Sequence, residues 1–197
     1  MEKTREVRVS FNEENEINAK METYDDAHFD SEPWQLDRMN KIVEQCKKNK
    51  PPNAIILDSD AEIKVLDVAS ADGYLSNRLK LEGYDVTSVD LSPTRLKRMR
   101  EIYGLNGVLA DIRELPFEDN SFDIVIAAEI LEHLPEMWRG MKEIERVCKQ
   151  NGLLIITMPV GEEHDNFKLH KWAIRKQDVE WKNRPDMCVF SIKRINR

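Results

Sequence analysis

Three acidic residues stand where apolar runs of this sequence end. Asp67 lies near the end of VLDV, Asp90 closes DVTSVD, and Asp111 follows GVLA. If these runs are neighbouring parallel strands, their carboxyl ends share the edge of the sheet at which such sheets bind ligands. A carboxylate after the second strand accepts hydrogen bonds from ribose hydroxyls, and Asp111 can accept from an adenine amino group, with Ile112 against the ring. The spacing therefore indicates a nucleoside site.

In the loop after the first run, ASADGY, the residues Ala69, Ser70 and Ala71 are small enough for the backbone to approach a ligand closely. Gly73 can adopt a positive φ or pack tightly where a helix begins. Alanine at positions 69 and 71 is unusual for such a loop, because alanine resists positive φ. If either alanine has a positive φ, we expect strain of about 1–3 kcal/mol and weakened binding. We expect binding itself to be retained.

A second group of reactive side chains lies in the segment AEILEHL, which contains Glu129, Glu132 and His133. An imidazole titrates near neutral pH, so His133 is a candidate general base. The segment also offers two carboxylates and one imidazole within five residues, and His164 and His170 follow later. Such a mixed ligand set suits Mg²⁺ or Mn²⁺ better than structural zinc. The alternatives are that His133 only caps or orients the next helix and that the spacing arose by chance.

The elements that would position these groups alternate along the chain. Apolar runs at intervals, separated by segments with helical periodicity, indicate a parallel sheet covered on both faces. The predicted fold class is therefore α/β, a doubly wound and mostly parallel sheet, with an antiparallel strand near the C-terminus. The predicted strands are 63–68, 85–89, 107–109, 122–128, 153–158 and 187–195. The predicted helices are 31–48, 73–82, 93–102 and 135–149. Ser31 is expected to cap the first helix, and Cys148 is expected on the core face of the last.

Composition sets the broad class of the protein. The chain has 197 residues, a net charge of −7 and 41% hydrophobic residues, which favours one globular domain and argues against avid, non-specific nucleic-acid binding. The segment from His164 onward is the basic part, with nine Lys and Arg against four acidic residues. No apolar run of about 18 residues is present, so no membrane span is expected. Three unclustered cysteines and a charged N-terminus favour a cytoplasmic location.

Four segments in this order and spacing resemble the class I S-adenosylmethionine-dependent methyltransferases: VLDVASADGYLS, SVDLSP, LADIRELPFEDNSFDIVIAAEILEHL and NGLLIITMP. The resemblance covers about residues 62–160. It implies a Rossmann-like fold, S-adenosylmethionine as cofactor and few catalytic residues, since the sulfonium is already activated and the protein mainly has to align the reactants. The cofactor-binding residues that it implies are Asp67, Ala69, Ser70, Ala71, Asp72, Gly73, Tyr74, Asp90, Leu91, Asp111, Ile112, Ala128 and Glu129.

Two groups of methyltransferases have residues on the acceptor side that are similar to those of this sequence. Quinone-biosynthesis O-methyltransferases carry a similar Glu-x-x-Glu-His. Small-RNA terminal 2′-O-methyltransferases add a later histidine before Lys and an aromatic residue, like His170 here. Both groups imply a metal held by Glu129, Glu132, His133 and, in the second, His170. His133 and Glu132 are then the candidate catalytic residues.

We expect a small-molecule acceptor, methylated at oxygen, with an RNA terminus as the alternative acceptor. A third possibility is a non-catalytic binding module that keeps the fold, which the two alanines favour. Residues 1–50 are expected to form an N-terminal arm and helix that act as a lid, and residues 51–197 the cofactor-binding part of a single domain. The sequence does not indicate the oligomeric state.

Overall fold

The computed structural model describes residues 33–49, 63–159 and 187–193. Their strands form one six-stranded sheet in the order β3-β2-β1-β4-β5-β6. Strands β1 to β5 pair in parallel, and β6 runs antiparallel to β5, in agreement with the fold predicted from the sequence. The strands are β1 (Lys64–Val68), β2 (Asp85–Asp90), β3 (Gly107–Leu109), β4 (Phe122–Ala128), β5 (Cys148–Pro159) and β6 (Met187–Lys193).

Helices cover both faces of this sheet. They are α1 (Pro33–Lys48), α2 (Tyr74–Leu81), α3 (Pro93–Tyr103) and α4 (Met137–Val147), with a short 3₁₀ helix at Leu131–His133. The buried stripe of α1 packs with α2 on one face, against Val65, Ile124 and Ile155. Helix α4 covers the other face, against Val125 and Ile156. Because successive strand residues point to opposite faces, both faces of the central strands are apolar.

One boundary differs from the sequence prediction. Cys148 was expected on the core face of a helix, but α4 ends at Val147 and Cys148 begins β5, where it pairs with Phe122. Cys148 is fully buried. Burial of a single residue does not distinguish a helix end from a strand start, so periodicity alone placed this boundary wrongly.

The predicted cap Ser31 and the predicted lid residues before Pro33 lie outside the described part of the chain. Among the helices that are described, none is long and apolar enough to cross a membrane.

Candidate functional site

A cleft of about 900 Å³ opens at the carboxyl ends of β1, β2 and β4. The strand order reverses between β1 and β4, and this is the point at which doubly wound sheets bind ligands. The cleft brings together nearly all of the site residues predicted from the sequence. Those on its wall are Asp67, Ala69, Ser70, Ala71, Asp72, Tyr74, Asp90, Leu91, Asp111, Ile112, Ala128, Glu129 and His133.

Both unusual alanines of the loop after β1 adopt left-handed backbone conformations. The φ angle is 58° at Ala69 and 49° at Ala71. For an L-residue this conformation costs about 1–2 kcal/mol relative to the right-handed one. The strained alternative considered from the sequence is therefore the one that the structure adopts. Glycine would occupy both positions without this strain.

Hydrogen bonds to the end of β2 hold the strained loop in place. The backbone N–H of Ala71 donates to Oδ2 of Asp90 at 2.9 Å. The backbone N–H of Ser70 donates to the carbonyl of Val89 at 2.9 Å, and its hydroxyl donates to the same carbonyl at 3.2 Å. A hydrogen bond to a charged group contributes about 1.5–3 kcal/mol, which is comparable to the strain at one alanine.

Asp90 is oriented by backbone groups and is not the cap of α3. Its Oδ1 accepts from the N–H of Ser92 at 2.8 Å, while Ser92 itself caps α3 by accepting from the N–H of Arg95. Burial raises the pKa of Asp90, and the backbone N–H groups of Ser92 and Ala71 oppose that rise. The carboxylate keeps acceptor capacity for the hydroxyls of a bound ribose, because two oxygens offer about four lone-pair sites.

Asp111 already has a partner. Arg113 donates through Nε to both carboxylate oxygens at 3.0 and 3.1 Å, through Nη2 to Oδ2 at 2.6 Å, and through its backbone N–H to Oδ1 at 2.8 Å. Although burial alone would raise the pKa of Asp111, these bonds hold it below its usual value. Three N–H groups of Arg113 thus bond to this carboxylate, so an adenine amino group shares Asp111 with Arg113.

Asp67 lies at the base of the cleft in a buried hydroxyl chain. Ser76 donates to Oδ2 of Asp67 at 2.6 Å, and Ser88 donates to Ser76 at 2.8 Å. Burial raises the pKa of Asp67 to about 7, with the hydrogen bond from Ser76 opposing the rise. Asp67 therefore changes charge near neutral pH.

Gly73 is absent from the cleft wall and has a packing role. Its φ is 85°, and a Cβ at this position would lie 2.5 Å from Cγ of Met99. The residue lets α2 begin directly against α3. Next to it, Asp72 is buried and accepts from Arg98 at 2.7 Å, which ties the same loop to α3.

The other end of the cleft carries charged groups that are largely buried. Nη1 of Arg38 lies 3.6 Å from Oε2 of Glu129, and both side chains are mostly buried. The side chain of Glu132 is 4% exposed, whereas that of His133 is 71% exposed. Burial raises the pKa of Glu132 to about 7, and the charge of Glu129 adds to the rise. Glu129 has a φ of 52°, which is a strained conformation at this end too.

The predicted metal site does not form from the described residues. Residues 33–49, 63–159 and 187–193 contain no group of three or more His, Cys, Asp or Glu side chains that could hold a metal ion. The side chains of Glu132 and His133 differ in exposure, 4% against 71%, although Nε2 of His133 lies 3.8 Å from Oε1 of Glu132. Nothing here supports Mg²⁺ or Mn²⁺ at Glu129, Glu132 and His133, and His170 lies outside the described part of the chain.

Sequence reasoning missed Arg38, which reaches the cleft from α1. The signal was present in the helical periodicity. Gln35, Arg38 and Gln45 recur at helical spacing with Ile42, on the stripe that packs against the sheet, and all four are buried. Polar residues in a buried helical stripe are uncommon and mark positions that need a partner.

Comparisons with known proteins agree with this geometry. A family model described as a methyltransferase domain matches residues 66–156. The chain is 37% identical over 127 residues to a demethylmenaquinone methyltransferase of Chlorobaculum tepidum, covering 64% of this chain and 50% of that protein. It is 32% identical over 176 residues to a demethylmenaquinone methyltransferase of Staphylococcus haemolyticus, covering 75% of this chain and 71% of that protein.

A solved structure, magnesium protoporphyrin IX methyltransferase from Synechocystis with bound S-adenosylmethionine, superposes with a TM-score of 0.65. It covers 88% of this chain and 86% of that one at 16% identity, so it shows a shared fold only. The chain spans about half the length, 41–51%, of four of the curated relatives that it matches.

Proposed function

The chain belongs to the class I S-adenosylmethionine-dependent methyltransferases, and we propose that it transfers a methyl group from this cofactor to an oxygen of a small hydroxylated acceptor. The observation that carries the proposal is that one cleft is lined by Asp90 and Asp111 at one end and by Arg38, Glu129 and His133 at the other. A nucleoside fits the first end and the reacting groups fit the second.

Each part of the cofactor, the ribose, the adenine and the methionine portion, can be matched to described residues of the cleft. Asp90, fixed by two backbone N–H groups, accepts from the ribose hydroxyls. Asp111 and Ile112 receive the adenine. The guanidinium of Arg38, at the opposite end of the cleft, is the group that suits the carboxylate of the methionine portion. When bound, the cofactor supplies a methyl group on a sulfonium, which is an activated donor.

The protein then has to align the acceptor and remove one proton. We assign proton removal to His133, which lines the cleft, with Glu132 at 3.8 Å to stabilise the imidazolium. The acceptor hydroxyl gives its proton to the imidazole, and its oxygen bonds to the methyl carbon as the carbon–sulfur bond breaks. A methyl ether and S-adenosylhomocysteine result, and His133 returns the proton to water.

The size of the cleft supports a small acceptor. Ligand sites in proteins usually have volumes of about 300–1,000 Å³. At about 900 Å³, the cleft has room for the cofactor and for an acceptor of modest size together. The names of the relatives from Chlorobaculum and Staphylococcus indicate quinone-type acceptors for those proteins, and a hydroxylated aromatic ring is the corresponding acceptor class for this chain. Residues 1–50 are assigned the role of a lid over it.

A second candidate, a binding module without catalysis, is favoured by the positive φ angles of Ala69 and Ala71. The alternative RNA acceptor depends on His170 and a metal, and nothing in the described residues favours it.

A calorimetric titration with S-adenosylhomocysteine separates the first two candidates. We expect binding in the micromolar range, and a decrease of about 10- to 100-fold in Asp90→Asn, because a charged acceptor of hydrogen bonds is lost. Asp85→Asn, at the exposed start of the same strand, is the control and should bind as the wild type does. Absence of binding by the wild-type protein would favour the non-catalytic module.

A further inference from the structure

The connection from β3 to β4 carries the adenine end of the cleft but contains neither helix nor strand. It spans residues 110–121, and the two residues assigned to adenine, Asp111 and Ile112, lie at its start. Ile112 and Leu115 are buried in the core beneath it. A buried segment needs partners for its backbone N–H and C=O groups, and here a ladder of regular secondary structure does not supply them. What bonds this backbone therefore decides where Asp111 lies.

Two side chains from one turn of α4 supply these partners. Oε2 of Glu143 accepts from the backbone N–H of Leu115 at 2.8 Å. Nη2 of Arg146 donates to the carbonyl of Leu115 at 3.0 Å, and Nη1 donates to the carbonyl of Phe117 at 2.7 Å. Both backbone groups of Leu115 are thus bonded to side chains of α4, in the way that a neighbouring strand would bond them.

Glu143 and Arg146 also hold each other, as the α4 ion pair. Nε and Nη2 of Arg146 donate to Oε1 and Oε2 of Glu143, both at 2.8 Å. Although burial alone would raise the pKa of Glu143, the bonds from Arg146 and from the N–H of Leu115 hold it below its usual value. Glu143 therefore stays charged at neutral pH. A planar guanidinium joined to a carboxylate by two parallel bonds has a fixed geometry, so the pair is a rigid support for the connection.

The hydrogen bonds place Asp111 between two anchors. On one side, the N–H of Ala110 donates to the carbonyl of Asp90 at 3.2 Å. On the other side, the N–H of Glu114 donates to the carbonyl of Asp111 at 3.0 Å, which closes a four-residue turn that ends next to Leu115. Because the α4 ion pair holds Leu115, this turn cannot shift along the cleft without breaking bonds at one of its ends.

We propose that Glu143 and Arg146 are positioning residues that hold Asp111 for the amino group of adenine and so make the cleft selective for this base. The inference rests on the proposed function, in which Asp111 and Ile112 receive the adenine, and deepens it. Neither member of the ion pair lines the cleft, so both act through the backbone of Leu115. A hydrogen bond weakens steeply when its geometry is distorted, whereas apolar contact with a ring is not directional. Movement of the turn therefore costs the contact with the amino group first.

Calorimetric titration of the full chain with two ligands tests the inference. The ligands are S-adenosylhomocysteine and S-inosylhomocysteine, in which a carbonyl oxygen replaces the amino group of the base. We expect the wild type to bind the first about 10- to 100-fold more tightly, because the Asp111 carboxylate accepts from an amino group and repels a carbonyl oxygen. Arg146→Met and Glu143→Met should each lower this ratio by about 3- to 10-fold. A general loss of stability weakens both ligands together and leaves the ratio unchanged.

Two further variants separate positioning from other effects. Glu143→Gln keeps an oxygen that can accept from the N–H of Leu115, so it should retain more of the ratio than Glu143→Met does. Lys142→Met is the matched control, because Lys142 is an exposed cation on the same helix and its ammonium lies over the ring of Trp138. It should show the wild-type ratio.

The main-chain bonds between the connection and α4 remain in all of these variants. The N–H groups of Asn120 and Ser121 donate to the carbonyls of Arg146 and Val147 at 2.9 and 2.8 Å. Circular dichroism checks folding, and Arg146→Lys takes the place of Arg146→Met if the latter does not fold. The wild-type ratio in the variants of both residues, or equal affinity of the wild type for the two ligands, overturns the inference. Absence of S-adenosylhomocysteine binding by the wild type would instead overturn the proposed function.

Discussion

The backbone N–H of Ala71 donates to Oδ2 of Asp90 at 2.9 Å while Ala71 itself has a φ of 49°. A strained alanine therefore orients the acid that is assigned to the ribose. The left-handed conformation costs about 1–2 kcal/mol, and a bond to a charged acceptor contributes about 1.5–3 kcal/mol. The two effects nearly cancel, so the loop can keep its shape without glycine.

Glycine at positions 69 and 71 should relieve the strain in the loop after β1. We expect Ala69→Gly and Ala71→Gly each to raise the affinity for S-adenosylhomocysteine or the free energy of unfolding by up to about 1 kcal/mol, because relief of strain exceeds the entropy cost of glycine. Calorimetry and urea unfolding measure the two quantities. Ala110→Gly is the control, since Ala110 lines the same cleft without a positive φ, and it should bring no gain. Losses in both loop variants would show that the alanines are not strained.

Arg38 should act on the methionine portion of the cofactor alone. We expect Arg38→Met to lower the affinity for S-adenosylhomocysteine by about 10-fold or more, because a charge-assisted contact to a carboxylate is lost. Adenosine, which has no carboxylate, should bind the variant and the wild type equally. Lys47→Met, on the exposed side of the same helix, is the control. An equal decrease for both ligands in Arg38→Met would place Arg38 in a structural role.

Arg113 should compete with the cofactor for Asp111. Three N–H groups of Arg113 bond to the Asp111 carboxylate, so Arg113 and the adenine amino group compete for the same two oxygens. We expect Arg113→Ala to raise the affinity for S-adenosylhomocysteine about 3- to 10-fold, as titration calorimetry would show. Arg100→Ala, in the last turn of α3, should change nothing. A weaker affinity in Arg113→Ala would mean that Arg113 orients Asp111 for adenine rather than competing with it.

Asp67 should make stability depend on pH. Its pKa is raised from 3.8 to about 7 in the folded protein, so the folded state binds a proton that the unfolded state has lost between these values. The stabilisation is fully present below about pH 4 and is lost as pH rises through 7. Burial raises this pKa, the hydrogen bond from Ser76 opposes the rise and the charge of Asp90 adds to it; Asp67 in turn raises the pKa of the Cys46 thiol.

The variant Asp67→Asn removes this titration. Urea unfolding from pH 5 to 8 should show the wild type losing about 3 kcal/mol relative to Asp67→Asn. Asp85→Asn, at an exposed position, should follow the wild type at every pH. Parallel pH profiles for the wild type and Asp67→Asn would show that Asp67 is ionised throughout.

The sequence by itself determined the sheet, the order of its elements and the acids at its edge. A local apolar run predicted each strand. Asp67, Asp90 and Asp111 were predicted as site residues from their positions at the ends of those runs. The boundary at Cys148 was the exception, because a buried apolar position is compatible with the end of a helix and with the start of a strand.

Only the tertiary structure decided the backbone conformation of the loop after β1 and which side chains form the acceptor end of the cleft. The φ angles of Ala69 and Ala71 depend on how the chain turns from β1 into α2 against β2, which no local pattern encodes. Arg38 reaches the cleft because α1 packs across β4 and β5, a contact between segments distant in sequence. The different exposures of the Glu132 and His133 side chains likewise follow from packing, since adjacent residues of a short 3₁₀ helix have different surroundings.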